Sequence, residues 1–95
     1  GLLLERMIYI TNLQAIKKQL KIGKIDFLKV STNHNEYCIF QSLNANDLKN
    51  IKNIGVEYSL ESPSSFKKIT NILDKHNFNI KIIKHGYTGF IQAWQ

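Results

Sequence analysis

The sequence predicts an α+β fold of two small α/β lobes, with elements in the order β-α-β-β-(α)-β-α-β-β and mixed or antiparallel sheets. Three observations carry that expectation. Two lysine-rich segments, one after Asn12 and one from Pro63, repeat apolar residues at helical spacing. Short β-branched and aromatic runs flank each of them. Only brief Gly-, Asn- or Ser-bearing stretches separate these runs, so no long linker divides the 95 residues.

Met7-Ile8-Tyr9-Ile10 reads as the first strand. Thr11 or Asn12 caps a helix on which Leu13, Ile16 and Leu20 form one apolar stripe, with Lys17, Lys18 and Lys21 off it and Gly23 as its stop. Residues 25–31 form a second strand and 36–42 a third, joined by the hairpin-like Thr32-Asn33-His34-Asn35. On the third strand Tyr37 and Ile39 point one way, Cys38 and Phe40 the other. Both faces are apolar, which places it centrally in a sheet with Cys38 as a small core residue. Residues 44–53 form a short helix carrying Leu48, Ile51 and Ile54 and closed by Gly55, or a long loop with one turn. Val56, Tyr58 and Leu60 alternate with Glu57, Ser59 and Glu61, the pattern of a half-buried strand. Pro63 opens the next helix, whose first turn tolerates the missing N–H; Phe66, Ile69 and Leu73 are its stripe, with Ile72 beside it. Residues 80–83 are a strand, 86–89 a turn and 90–94 the closing strand.

A chain this short holds one domain, or two very small subdomains that share a core. The division falls at residues 45–55, a connector or short helix. It separates an N-terminal lobe at 1–44 from a C-terminal lobe at 56–95.

The formal net charge is +6, and such a balance attracts polyanions. Arg6 is the single arginine; every other fixed cation is a lysine. Lysine is a mobile point charge, whereas arginine is the residue of bidentate base reading, so backbone contact is favoured over groove reading. The Asn-, Ile- and Lys-rich composition also fits an AT-rich coding sequence. No apolar run approaches the roughly 20 residues of a membrane span. Leu2-Leu3-Leu4, interrupted by Glu5 and Arg6, is too short for a signal-peptide core. Cys38 is alone, which excludes an internal disulfide and fits a reducing compartment.

Catalytic constellations are not legible. His34, His76 and His85 are scattered, and no pair has a zinc-ligand spacing. His76 suits a helix C-terminus and Asp47 a helix start. Asp26, Glu57 and Glu61 form no acid–base pair. No cofactor, metal, small-molecule substrate or membrane partner is expected, and no enzyme. The last third instead offers cations, hydroxyls and open amides suited to holding a phosphate backbone. The candidate RNA-binding residues there are Ser62, Ser64, Ser65, Lys67 and Lys68, then Lys84, His85, Gly86, Tyr87 and Thr88. Lys17, Lys18 and Lys21 are secondary backbone contacts. Gly86-Tyr87-Thr88-Gly89 reads either as a plain hairpin turn or as a loop whose amides approach a phosphate or ribose. Tyr87 is the candidate for stacking on a base. The other aromatics, spread over every strand, read as core, with Trp94 a lid on it.

The segment 20–30, Leu-Lys-Ile-Gly-Lys-Ile-Asp-Phe-Leu-Lys-Val, resembles the helix end, glycine and following strand of the small-subunit ribosomal protein eight family. Residues 36–43 are similar to that family's next strand. Residues 56–64, Val-Glu-Tyr-Ser-Leu-Glu-Ser-Pro-Ser, resemble the strand that leads into its Ser-x-Pro-Ser/Gly motif. Residues 80–83 match the strand before its RNA-binding loop, and Gly89-Phe90-Ile91-Gln92-Ala93-Trp94 its closing strand. The family's Ser-Thr-Ser loop is replaced here by Lys84-His85-Gly86, and the basic pair after the proline motif by Ser65-Phe66, with Lys67 and Lys68 just beyond. The resemblance implies a structural constituent of the small ribosomal subunit, in a shortened, organelle-like form. Its partners would be small-subunit ribosomal RNA and neighbouring ribosomal proteins, in a mitochondrial ribosome or, alternatively, the bacterial cytoplasm. Two other readings stand beside it. One is a small toxin-like ribonuclease using His34; the other is a non-ribosomal protein-binding module.

Overall fold

Five strands share one mixed sheet in a computed structural model that describes residues 6–10, 13–31, 36–59 and 63–95. The elements are β1 (Met7–Ile10), α1 (Leu13–Ile22), β2 (Ile25–Val30), α2 (Glu36–Ser42), α3 (Ala45–Lys49), β3 (Ile51–Ser59), α4 (Pro63–Lys75), β4 (Asn79–His85) and β5 (Thr88–Trp94). The sheet order is β1-β2-β3-β5-β4. β1, β2 and β3 pair in parallel, while β5 runs antiparallel to both β3 and β4. The fold class is α+β, as expected, and the sheet is of the mixed kind. The strands expected in two lobes join directly, because β2 pairs with β3.

Handedness fixes where the helices lie. The connections β1-α1-β2, β2-α2-α3-β3 and β3-α4-β4 each join parallel strands and each step across the sheet in the same direction. Such crossovers are right-handed almost without exception, so all described helices cover one face. Burial agrees. Leu28, Val30, Ile54, Val56, Tyr58, Ile91 and Ala93 fall on one side by strand alternation and register, and all are buried. Ile16, Ile39, Phe40, Ile69 and Leu73 from the helices complete that core. None of the described helices is long and apolar enough to cross a membrane.

The segment Glu36–Ser42 is a helix, not the expected central strand. Its β-branched and aromatic content suggests a strand, but Ile39, Phe40 and Leu43 are the buried positions, a spacing of one and then three that only a helix puts on one face. Cys38 consequently turns outward and is exposed rather than core. The stretch 44–53 divides. Asn44 caps α3 through a reciprocal capping box with Asp47, and that helix ends at Lys49. Ile51 and Ile54, expected on the helix stripe, instead open β3, and Gly55 lies within the strand. Pairing with β2 decides this, because Ile25 meets Ile51 and Leu28 meets Ile54 across the ladder. The final turn is also tighter than expected, since Thr88 and Gly89 already belong to β5.

Two terminal devices went unread. The chain leaves α4 through Asn77, at φ +66°, with Phe78 N–H donating to the Leu73 carbonyl and Asn77 N–H to that of Asp74. This is a Schellman stop with asparagine in the usual glycine place, sealed by buried Phe78 against Leu73. The Arg6 guanidinium closes α1. It donates to the carbonyls of Gln19 (2.7 Å) and Gly23 (2.8 Å) and to Gln19 Oε1 (2.6 Å). The Arg6 amide donates to Asp26 Oδ2 at 2.6 Å, tying the start of β1 to β2.

Tyr58 lies across Gly89 and stacks on Phe66, with ring centroids 4.8 Å apart. A Cβ on Gly89 would come within 2.2 Å of the Tyr58 ring. Because that ring is buried and held from the other side, Gly89→Ala is expected to cost about 1–3 kcal/mol by overpacking. The shift of the urea unfolding midpoint measures it, and an unchanged midpoint would show that the Tyr58–Phe66 stack yields freely.

Candidate nucleic-acid interface

The β4–β5 turn is a two-residue hairpin closed by the His85–Thr88 pair. Gly86 has φ +62° while Tyr87 is not in the positive-φ region, the pattern of a type II′ turn with glycine first. A Cβ on Gly86 would meet nothing within 4 Å, so the turn needs this glycine for its dihedral and not for space. Tyr87 stands at the tip with 88% of its surface exposed. Thr88 Oγ1 donates to the His85 carbonyl at 3.0 Å. Alternation divides the expected site between two faces. Lys84 pairs with Gly89 on the helix-covered side, whereas His85 and Thr88 belong to the bare side. The α4 N-terminus lies at the same end of the sheet, because β3 ends at Ser59, opposite Thr88, and α4 begins at Pro63.

The helix lysines differ in availability. Lys67 is exposed on α4. Lys68 lies 5.0 Å over the Tyr37 ring of α2, a cation–π contact that joins two helices. Lys18 and Lys21 are exposed on α1, but Lys17 is committed to Asp47 of α3 at 2.7 Å. Ser62 lies outside the described residues, as does His34 with its expected hairpin tip. Ser64 and Ser65 belong to the first turn of α4.

Sequence reasoning missed a second basic end. Lys24, Lys49 and Lys52 line a hollow of about 240 Å³ with Asp26, Asn50 and Gln95. The starts of β2 and β3 and the end of α3 bring these lysines together. Their separation in sequence hides the cluster, and no local spacing could have revealed it. It also missed the sheet's bare face. Phe27 and Phe90 reach over Gly55 from the strands on either side, their Cζ atoms 3.2 and 2.7 Å from where a Cβ would stand. Trp94 is on this face at 36% exposure, not a lid on the core, and Tyr9 is there at 58%. The core therefore does not take all the strand aromatics.

Among the described residues no group of three His, Cys, Asp or Glu side chains could hold a metal ion. Burial raises the Tyr58 phenol above its ordinary value, and its hydroxyl has no hydrogen-bond partner among the described residues. Comparison with known protein families, with curated proteins and with solved structures finds no match for this chain.

At Asp47, burial alone would raise the carboxyl, but hydrogen bonds from Lys17 and the Asn44 amide, with the Lys17 charge, outweigh it and hold the group below its ordinary value of 3.8. A carboxyl lowered in the folded state contributes stability that is complete above its unfolded pKa and is lost as pH falls through its folded one. Unfolding free energy should thus decline below about pH 4, and Asp47→Asn should flatten that limb while costing on the order of 1 kcal/mol or less at neutral pH. Identical acid limbs for both proteins in a denaturant series across pH would contradict the assignment.

Proposed function

We propose that the protein binds RNA without catalysing a reaction, as a structural constituent of the small ribosomal subunit. The observation that carries the RNA reading is that Lys67, Lys84, His85 and the Tyr87 tip are all exposed, on the β4–β5 hairpin and on the helix α4 that begins at the same end of the sheet. Lysines there neutralise phosphates, and the projecting ring stacks on an unpaired base or a ribose. The ribosomal part of the reading rests on the sequence resemblance. Of the segments that carry it, residues 25–30, 56–59, 80–83 and 89–94 lie in strands, and residues 36–43 contribute none. Residues 56–95 carry the principal surface, and α1 adds Lys18 and Lys21. Ribosomal RNA and neighbouring ribosomal proteins are the partners in this proposal, and a mitochondrial ribosome is the setting that the organelle-like form of the resemblance implies.

Lys17 and Lys68 are already engaged within the fold, so their removal weakens stability more than RNA affinity. The turn is different, since Lys84 and Tyr87 are exposed on a tight hairpin at the sheet edge. Replacing both with alanine is expected to lower affinity for a small-subunit ribosomal RNA fragment about tenfold and to reduce the salt slope by about one. The unfolding midpoint should not move. Fluorescence anisotropy of labelled RNA, titrated at two salt concentrations, reads both quantities; unchanged affinity would remove the turn from the site.

A further inference from the structure

All described helices cover one side of the sheet, and the other side carries an ordered set of side chains. Strand register arranges them in rows. Tyr9, Lys29, Gly55, Gln92 and Lys81 form the middle row. Met7, Phe27, Asn53 and Trp94 lie along one flank of it, and Phe90 and Ile83 along the other. Neighbouring strands are about 4.8 Å apart, and successive same-face residues on one strand about 6.6 Å. Asn53 and Gln92 therefore stand between Trp94 and the two phenylalanines, Lys29 stands beside Tyr9, and Gly55 lies between Phe27 and Phe90.

We propose that this face is a stacking platform for single-stranded RNA. Phe27 and Phe90 supply its floor, Trp94 and Tyr9 offer exposed rings, and Lys29 and Lys81 meet the phosphates. The proposal rests on the RNA-binding reading and adds to it the class of RNA and a second surface. Gly55 is central to the arrangement. A Cβ there would stand 2.7 Å from the Phe90 ring and 3.2 Å from that of Phe27, so glycine is what lets both rings lie over the middle of the sheet. Base–aromatic stacking needs this kind of surface, in which flat apolar rings lie beside cations on an open sheet.

Charge selects the occupant. Lys29 and Lys81 form no ion pair with any described carboxylate, and Glu57, the acid on this face, accepts the Ser31 hydroxyl at 3.2 Å. Lys29 instead lies 5.7 Å over the Tyr9 ring. A second copy of the chain packed face to face would bring these lysines against their own counterparts, whereas a polyanion neutralises them. A duplex keeps its bases stacked inside and offers no free base to the rings.

Trp94 is the single tryptophan, so its emission reports on this face directly. The experiment titrates the full chain with a single-stranded RNA dodecamer and with the matching duplex, following both Trp94 fluorescence and anisotropy of labelled RNA. The single strand should quench the emission and the duplex should not. Phe90→Leu, which retains apolar volume, and Lys81→Gln, on the exposed edge strand, should each weaken single-strand binding several-fold while leaving the unfolding midpoint in place. The Lys84→Ala/Tyr87→Ala protein should retain the quenching. Emission unchanged by single strands while structured ribosomal RNA still binds would overturn the platform and spare the RNA-binding reading. No RNA binding of any form at low salt would overturn both. Quenching that follows protein concentration instead of RNA, with dimers in sedimentation, would overturn the platform in favour of self-association.

Discussion

Right-handed crossover is the constraint from which the rest of the molecule follows. Three parallel connections step the same way across the sheet, and each must place its helix on the same side. One face consequently receives α1 to α4 and forms the core around Leu28, Ile54, Val56 and Ile91. The other receives no described helix. Among the described residues that second face carries lysines, amides and partly exposed rings, while Ile25 and Ile51 at the strand starts are buried. β5, inserted antiparallel between β3 and β4, widens both surfaces and carries alternate residues to each, with Ile91 and Ala93 inward and Phe90, Gln92 and Trp94 outward.

The same organisation divides the positive charge into structural and available parts. Arg6, the one residue suited to bidentate recognition, is spent on the carbonyls that end α1. Lys17 holds α3 against α1, and Lys68 joins α4 to α2. The remaining lysines lie on exposed positions of α1 and α4, at the two ends of the sheet and on its second face. The proposed RNA contact is therefore one of point charges and rings with no guanidinium fork, which favours backbone and stacking recognition over sequence reading.

Much of the fold was legible where local signals agreed with tertiary context. α1 and α4 followed from apolar stripes, Gly23 and Pro63 marked a stop and a start, and the hairpin at Gly86 followed from its turn chemistry. Glu36–Ser42 was misread because Tyr, Ile and Phe favour strands locally, while the need to cover the sheet made helical burial of Ile39, Phe40 and Leu43 the better use of them. Ile51 and Ile54 fit a helix stripe equally well until pairing with β2 claims them. The turn residues of the candidate site were visible as exposed polar positions in sequence. The Lys24–Lys49–Lys52 cluster and the Phe27–Gly55–Phe90 arrangement were not, because register alone brings those residues together. Aromatics on strands look alike in sequence whether they face a core or solvent, and only the one-sided helix cover separates the two.

Tyr58 shows how closely the two surfaces are coupled. Its ring packs over Gly89 on the covered side, directly behind the strand that carries Phe90 and leads back to the Tyr87 turn. The core thereby fixes the hairpin that presents the basic end. The proposed role is that of a part of a small-subunit ribonucleoprotein. Sedimentation of tagged protein from its native extract, at low and moderate salt, tests it most directly. The account predicts co-migration with the small ribosomal subunit that persists at moderate salt. Protein found only at the top of the gradient under both conditions would contradict it.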